Sequence, residues 1–144
     1  MEVFPGGRIS EVLAVRLDMG EDVLAAVEQV ARDQDIHTGV IVSGIGTLDH
    51  ARLHYITHTG LPSNNKFVEH EGPIELVSMD GIIADYTPHI HTAISIGDDT
   101  YMGHLEPGCR VLYLAEIAVI RLDELRLTRR TDEKTGISLL RAAE

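Results

Sequence analysis

The chain has 144 residues, 44% of them hydrophobic and 24% charged, which is typical of a globular protein and excludes a disordered or fibrous one. Its net charge of −11 and its lack of Trp weigh against unaided binding to nucleic acid, which needs positive charge and stacking aromatics. No apolar run approaches the roughly 20 residues of a membrane span. We expect a single domain over residues 1–144, with its core over about 8–128 and a C-terminal tail over 129–144.

The first part of the chain predicts a strand, a helix and a second strand. Apolar and polar residues alternate over residues 8–18, which indicates a strand. Apolar residues then recur at helical spacing over 21–35, which predicts an amphipathic helix capped by Asp18 or Gly20. The β-branched run at 39–43 predicts a buried strand.

The rest of the chain is rich in turn signals that separate short strands. A single helix among strands that are mostly joined by hairpins favours an α+β fold. We expect a largely antiparallel or mixed sheet of about seven strands packed with one main amphipathic helix. Residues 137–140 in the charged tail are predicted to form a docking helical turn. The remaining predicted strands cover residues 51–57, 66–70, 74–79, 82–86, 89–96, 100–104, 111–121 and 125–128.

Three features that resemble functional motifs are interpreted as structural. Gly44 and Gly46 follow a strand, as in dinucleotide-binding loops, but a third glycine is missing and a strand follows. They are expected to allow a bulge or a close backbone approach. Cys109 has no obvious activating base, so we expect an inert thiol, and a single cysteine without a secretory signal fits a cytoplasmic protein. The arginine-rich run at 126–130 is interpreted as a solvated strand end.

The most informative pattern is a set of three histidines within sixteen residues on one predicted β-hairpin. His89 and His91 project to the same side of their strand, because side chains alternate between faces. If residues 98–99 are the central residues of the turn, His104 lies opposite Ala93, on that same face and diagonal to His91. Three histidines with an open fourth position are typical of catalytic zinc. The alternative is that they are hydrogen-bonded surface or interface groups.

Five further histidines receive structural interpretations. His50, His54 and His58 recur at every fourth residue and would share a face of a strand. They form a second polar face, or they reach the first cluster; the first alternative is favoured. His37 and His70 are interpreted as loop residues.

Four carboxylates are candidates for an acid, a base or a metal ligand: Glu75, Asp80, Asp85 and Glu116. Glu116 is our candidate catalytic residue, because it lies on the long predicted strand 111–121, which carries apolar residues on both faces.

The order of these segments resembles the PPC (plants and prokaryotes conserved) domain family over residues 8–121. The resemblance covers nearly the whole chain, and the combination is specific although no single motif is. Besides Arg8 with its strand and the following helix, it rests on the sequences GIGTL (44–48), GPIELVSMDG (72–81), PHIH (88–91), GHL (103–105) and AEI (115–117).

The resemblance implies an antiparallel-type sheet and a homotrimer with sites near subunit boundaries. In some bacterial and archaeal members it implies a metal, usually taken as zinc, on the histidines that match His89, His91 and His104. Plant members carry AT-hook DNA-binding motifs, which this chain lacks, and prokaryotic members are often labelled DNA-binding. No reaction is implied. We therefore expect a zinc-binding (or other divalent transition metal) homotrimer that binds or acts on a small molecule. A non-enzymatic oligomerisation module and a DNA-binding protein are the alternatives.

Overall fold

This computed structural model describes residues 1–143 of the chain. Most of these residues lie in antiparallel strands. No helix in that range is long and apolar enough to cross a membrane. In chain order the elements are β1 (Arg8–Asp18), α1 (Val23–Asp33), β2 (Thr38–Ile56), β3 (Asn65–Ala84), β4 (Thr87–Ile96), β5 (Asp99–Leu105), β6 (Arg110–Asp123), β7 (Leu127–Thr131) and β8 (Ser138–Ala142).

Six of these strands form one sheet in the order β1-β6-β2-β3-β4-β5, and β7 pairs with β8 in a separate hairpin. Strand β2 also pairs with β5, which bends the β2–β5 part of the sheet back on itself. Every pairing between named strands of residues 1–143 is antiparallel. The predicted mostly antiparallel sheet with one helix is therefore confirmed, with eight strands and a short helix among the described residues.

Helix α1 packs on one face of the sheet, and we call the opposite face the outer face. The helix is shorter than the predicted 21–35, because its N-cap is Asp22, whose side chain accepts a hydrogen bond from the backbone N–H of Ala25 at 2.9 Å. Val23, Val27 and Ala31 are fully buried in the core against the sheet. Burial of each valine contributes about 1.5–3 kcal/mol.

Several predicted short strands merge into two long ones, β2 and β3. The Gly72-Pro73 step does not end a strand: it lies where the β2–β3 register shifts, in a bulge. Asp80 and Gly81 do not form a turn either, since both pair with residues of β4. A Cβ on Gly81 would lie 2.5 Å from the carbonyl oxygen of His89, so this glycine serves a close approach of β3 to β4.

The predicted role of Gly44 and Gly46 in a close backbone approach is confirmed. A Cβ on Gly46 would lie 2.4 Å from the carbonyl oxygen of Leu114, and one on Gly44 would lie 2.5 Å from Cβ of Met79. The β2–β6 register also shifts on both sides of this segment. These glycines therefore let β2 pass closely between its neighbours.

The predicted helical turn at 137–140 is wrong, because Ser138–Ala142 is a strand paired with β7. The carboxylate of Asp132 accepts a hydrogen bond from the backbone N–H of Thr135 at 2.9 Å, and Gly136 has φ 71°. This turn reverses the chain and directs it back along β7. Leu127 of β7 is buried and its N–H donates to the Thr38 hydroxyl at 3.0 Å, which ties the hairpin to β2.

Candidate metal centre

A two-residue turn joins β4 to β5. Ile96 pairs with Asp99 across it, so its central residues are Gly97 and Asp98, one residue earlier than the predicted 98–99. Gly97 has φ 58°, in the left-handed region that tight hairpin turns require and that glycine adopts without strain. The position of the turn fixes the pairing of every residue in the hairpin.

The observed register places His104 directly opposite His91, whereas the predicted register placed it opposite Ala93. The register differs from the predicted one by two residues, so the side chain of His104 stays on the predicted face. His89 shares that outer face, since the intervening Ile90 is buried in the core. The ring centroids are 4.8 Å apart for His89 and His104, 5.5 Å for His91 and His104, and 5.3 Å for His89 and His91.

The three imidazoles fit the donor set of a transition-metal ion. One ring nitrogen from each lies within 4.8 Å of the others. Nitrogens bound tetrahedrally to zinc at about 2.0–2.1 Å are separated by about 3.4 Å. Side-chain rotations that move each ring nitrogen by about 1 Å would therefore bring the three nitrogens to binding distance of one ion. His89 and His104 are half-buried and His91 is exposed, which leaves one side of the cluster open.

Burial and neighbouring charges favour the neutral form of these histidines. Burial, and next the positive charge of Arg129, lowers the pKa of His89 to about 4. The pKa of His104 is also lowered, first by burial and then by His54. Imidazole binds a metal in its neutral form, so His89 requires no deprotonation at neutral pH.

A fourth histidine reaches the cluster through the pairing of β2 with β5. His54 lies opposite His104 in that pairing, and their rings stack with centroids 4.5 Å apart. Nδ1 of His54 donates a hydrogen bond to Oε1 of Glu106 at 2.6 Å. The same carboxylate oxygen lies 4.0 Å from Nε2 of His104. The favoured interpretation of His54 as part of a separate polar face is therefore wrong, and the alternative, in which it reaches the first cluster, is confirmed.

His54, His104 and Glu106 also form a possible metal-binding set, which shares His104 with the first set. Two histidines and one glutamate are a known zinc donor set. However, the Oε1 atom of Glu106 already accepts a hydrogen bond from His54 at 2.6 Å, so this oxygen has a partner within the chain. The three-histidine set is thus the better candidate, with His54 and Glu106 as positioning residues.

The other histidines lie outside the cluster. His50 donates from Nδ1 to the carbonyl oxygen of Gly108 at 2.6 Å, and His58 is exposed beyond the end of β2. His37 lies just before β2, with Nε2 3.4 Å from a carboxylate oxygen of Asp85. His70 is not a loop residue: it lies inside the long strand β3, with its ring 4.1 Å from that of Tyr101.

Glu116 and Cys109 lie apart from the histidines. Glu116 is exposed on β6, lies opposite Arg16 in the β1–β6 register, and lines a separate pocket of about 420 Å³ with Ser43. Cys109 is fully buried, and burial raises the pKa of its thiol to about 11. Its thiol donates a hydrogen bond to the carbonyl oxygen of Arg52 at 3.3 Å. These surroundings are those of an unreactive thiol, as predicted.

A pocket of about 480 Å³ opens beside the cluster on the outer face. Its walls include His89, His91, Ile82 and residues 40–42, together with Arg129 from β7. The interpretation of the arginine-rich run as a solvated strand end is wrong for Arg129, which is half-buried in this wall. No local pattern indicates this, because the contact depends on where the β7–β8 hairpin folds back.

Solved structures share this architecture over 90% or more of the chain. A metal-containing protein from Archaeoglobus fulgidus is 28% identical, with a TM-score of 0.82 and complete coverage of both chains. A protein from Ralstonia eutropha JMP134, described as a candidate DNA-binding protein, is 25% identical, with a TM-score of 0.76 over 90% of each chain.

One relative found by sequence comparison is much longer than this chain. The bifunctional protein GlmU of Synechococcus sp. (strain JA-2-3B'a(2-13)) is 30% identical over 127 residues, which are 88% of this chain and 19% of that protein. The chain thus spans about a fifth of the length of this relative. The Plants and Prokaryotes Conserved (PCC) domain matches residues 5–123. This is the family, abbreviated PPC above, that the order of the sequence motifs resembles. The chain therefore belongs to the Plants and Prokaryotes Conserved domain family.

Proposed function

We propose that this protein binds a divalent transition metal, zinc in the first instance, through His89, His91 and His104, and that the site binds or transforms a small molecule. The observation that carries the proposal is the convergence of three imidazoles, each with a ring nitrogen within 4.8 Å of the others, on one face of the β4–β5 hairpin. The metal-containing Archaeoglobus relative, 28% identical over the full length, supports it.

Each residue around the site has a defined task in this proposal. The three imidazoles, two of them half-buried, hold the ion on its protein side. Glu106 accepts a hydrogen bond from Nδ1–H of His54, which fixes the ring that stacks on His104. When bound, zinc supplies Lewis-acid chemistry at its open position. The adjoining pocket of about 480 Å³ has the size of a small-molecule site.

The protein is further proposed to be a homotrimer in the cytoplasm. A row of register partners crosses the outer face from Val12 through Ile120, Val40 and Ile82 to His89. All but the histidine are apolar, and Val12 is 66% exposed. An exposed apolar surface that leads to the site supports a subunit boundary there. The single free cysteine supports a reducing compartment.

Metal analysis of protein purified without a histidine tag tests the proposal. We expect about one equivalent of zinc per chain in the wild type, and less than about 0.2 equivalents in His104→Ala. His58→Ala is the matched control, because His58 is exposed outside the cluster, and it should retain the metal. A metal content below about 0.2 equivalents in the wild type after incubation with zinc, or one unchanged by His104→Ala, contradicts the proposal.

DNA binding is a second candidate, favoured by the description of the Ralstonia relative. The net charge of −11 opposes it, because phosphate binding requires a positively charged surface. An electrophoretic shift assay with duplex DNA at physiological ionic strength separates the two. We expect no shift at micromolar protein, whereas a salt-sensitive shift would establish DNA binding.

A further inference from the structure

Arg129 has an unusual environment for an arginine on a C-terminal hairpin. Its guanidinium Nε is buried and has no hydrogen-bond partner among the described residues. No carboxylate oxygen within residues 1–143 lies within 4.0 Å of its guanidinium nitrogens, although Asp80 lines the same pocket. Burial also lowers the pKa of this guanidinium. An unpartnered buried donor is costly, and the side chain as a whole is only partly buried, so its two terminal nitrogens can meet a partner from outside the described residues.

The position of Arg129 identifies where that partner binds. Arg129 lines the pocket of about 480 Å³ together with His89 and His91, two of the three proposed metal ligands. The lining also includes the apolar residues 40–42 and Ile82, together with Asp80. A molecule held here would meet a fixed cation, the open side of the histidine cluster and a hydrophobic surface.

The guanidinium group selects the chemistry of that molecule. Arginine presents planar N–H donors that match two oxygens of a carboxylate or a phosphate. We propose that Arg129 is the anion-binding residue of this site and that its ligand is a small organic oxyanion whose apolar part packs on residues 40–42. This inference rests on the proposed metal site, since it assigns the ligand class to the open side of that cluster.

Cobalt-loaded protein without a tag provides a spectroscopic test. Co²⁺ reports its own surroundings through visible absorption, so the spectrum is titrated with inorganic phosphate in one arm and with acetate in the other. We expect a saturable change with phosphate, with acetate or with both, and the anion that binds more tightly identifies the preferred oxyanion. Arg129→Met should weaken the affinity at least about tenfold, with Arg129→Lys intermediate. Arg126→Met, an exposed arginine of the same run, is the matched control and should match the wild type.

The cobalt content separates the two claims. All variants should take up about one equivalent of Co²⁺, because none changes a proposed ligand. Absence of uptake by the wild type contradicts the metal site itself. Uptake without an anion-dependent change, or an affinity that Arg129→Met leaves unchanged, contradicts the role of Arg129 alone. An oligomer structure in which a carboxylate of a second copy pairs with Arg129 would also overturn that role.

Discussion

His91 and His104 face each other across the β4–β5 ladder, and this pairing makes the histidine cluster possible. Directly opposed residues of an antiparallel pair have Cβ atoms about 4.5–5.5 Å apart, closer than diagonal neighbours. His89 then approaches from two residues earlier on β4, with its ring centroid 4.8 Å from that of His104. The cluster is thus a product of strand register, which the turn at Gly97 sets.

Gly97→Ala is expected to destabilise the protein. A residue with a Cβ at φ 58° costs about 1–2 kcal/mol, and we expect the free energy of unfolding to fall by that amount. Urea denaturation measures it. Gly60→Ala is the control: a Cβ there would meet nothing closer than 3.5 Å, and its effect should be within about 0.5 kcal/mol. Equal effects of the two substitutions would show that the left-handed conformation of Gly97 does not contribute to the free energy of unfolding.

Glu106→Gln distinguishes an orienting role from a ligand role. If Glu106 orients His54, the substitution should raise the zinc Kd about tenfold and leave the stoichiometry unchanged. A competition titration with a chromophoric chelator measures both. Glu69→Gln, which removes a carboxylate that contacts Arg52 instead, should leave the Kd unchanged. Loss of stoichiometric zinc in Glu106→Gln, with zinc retained in His89→Ala, would instead make His54, His104 and Glu106 the ligand set.

Local sequence patterns predict most of this fold, because the alternation of apolar and polar residues depends on which strand face is buried. Alternation of apolar and polar residues identifies which strand face is buried, so the shared face of His89 and His91 follows from sequence alone. The turn is less well determined, because Gly97-Asp98 and Asp98-Asp99 are both turn-forming pairs. The two-residue difference in register follows from that ambiguity, and the left-handed φ of Gly97 resolves it.

The contacts that the sequence does not reveal depend on pairing between strands that are far apart in the chain. His54 meets His104 only because β2 pairs with β5 as well as with β3 and β6, and no periodicity in either segment specifies that contact. Arg129 joins the pocket only because the β7–β8 hairpin packs on β2 through Leu127 and Thr38. Such contacts depend on the curvature of the sheet, which is a property of the assembled strands.

Cys109 should resist modification until the protein unfolds. Burial raises the pKa of its thiol from 9.0 to about 11, so at pH 8 the native thiolate fraction is about 100-fold below that of the unfolded chain. We expect Ellman's reagent to react at least about 100-fold more slowly with native protein than with urea-unfolded protein at pH 8. The native rate should rise as the pH rises towards 11.

The raised pKa of the Cys109 thiol also makes the stability of the protein depend on pH. The unfolded chain loses the thiol proton at lower pH than the native chain, so the contribution of Cys109 to stability is complete below pH 9 and declines towards pH 11. Cys109→Ala removes this titration and should flatten the alkaline part of the stability profile. Rapid labelling of native protein at pH 8 would contradict both expectations, because it would require an exposed or ionised thiol.

Val12→Glu tests the proposed subunit boundary at a distance from the histidines. Val12 begins the apolar row that ends at His89, and it is 66% exposed on the edge strand β1. A carboxylate buried there without a partner would oppose association. Light scattering should therefore change from three times 15.8 kDa in the wild type to 15.8 kDa in the variant.

Met19→Glu is the matched control for that experiment, since Met19 is 68% exposed in the turn after β1, beyond the row. It should keep the mass of the wild type. Zinc content distinguishes the two roles of the outer face: if the ligands all come from one chain, monomeric Val12→Glu should retain about one equivalent. A wild type that is monomeric at micromolar concentration would contradict the trimer, and loss of zinc together with the trimer would show that a neighbouring subunit completes the site.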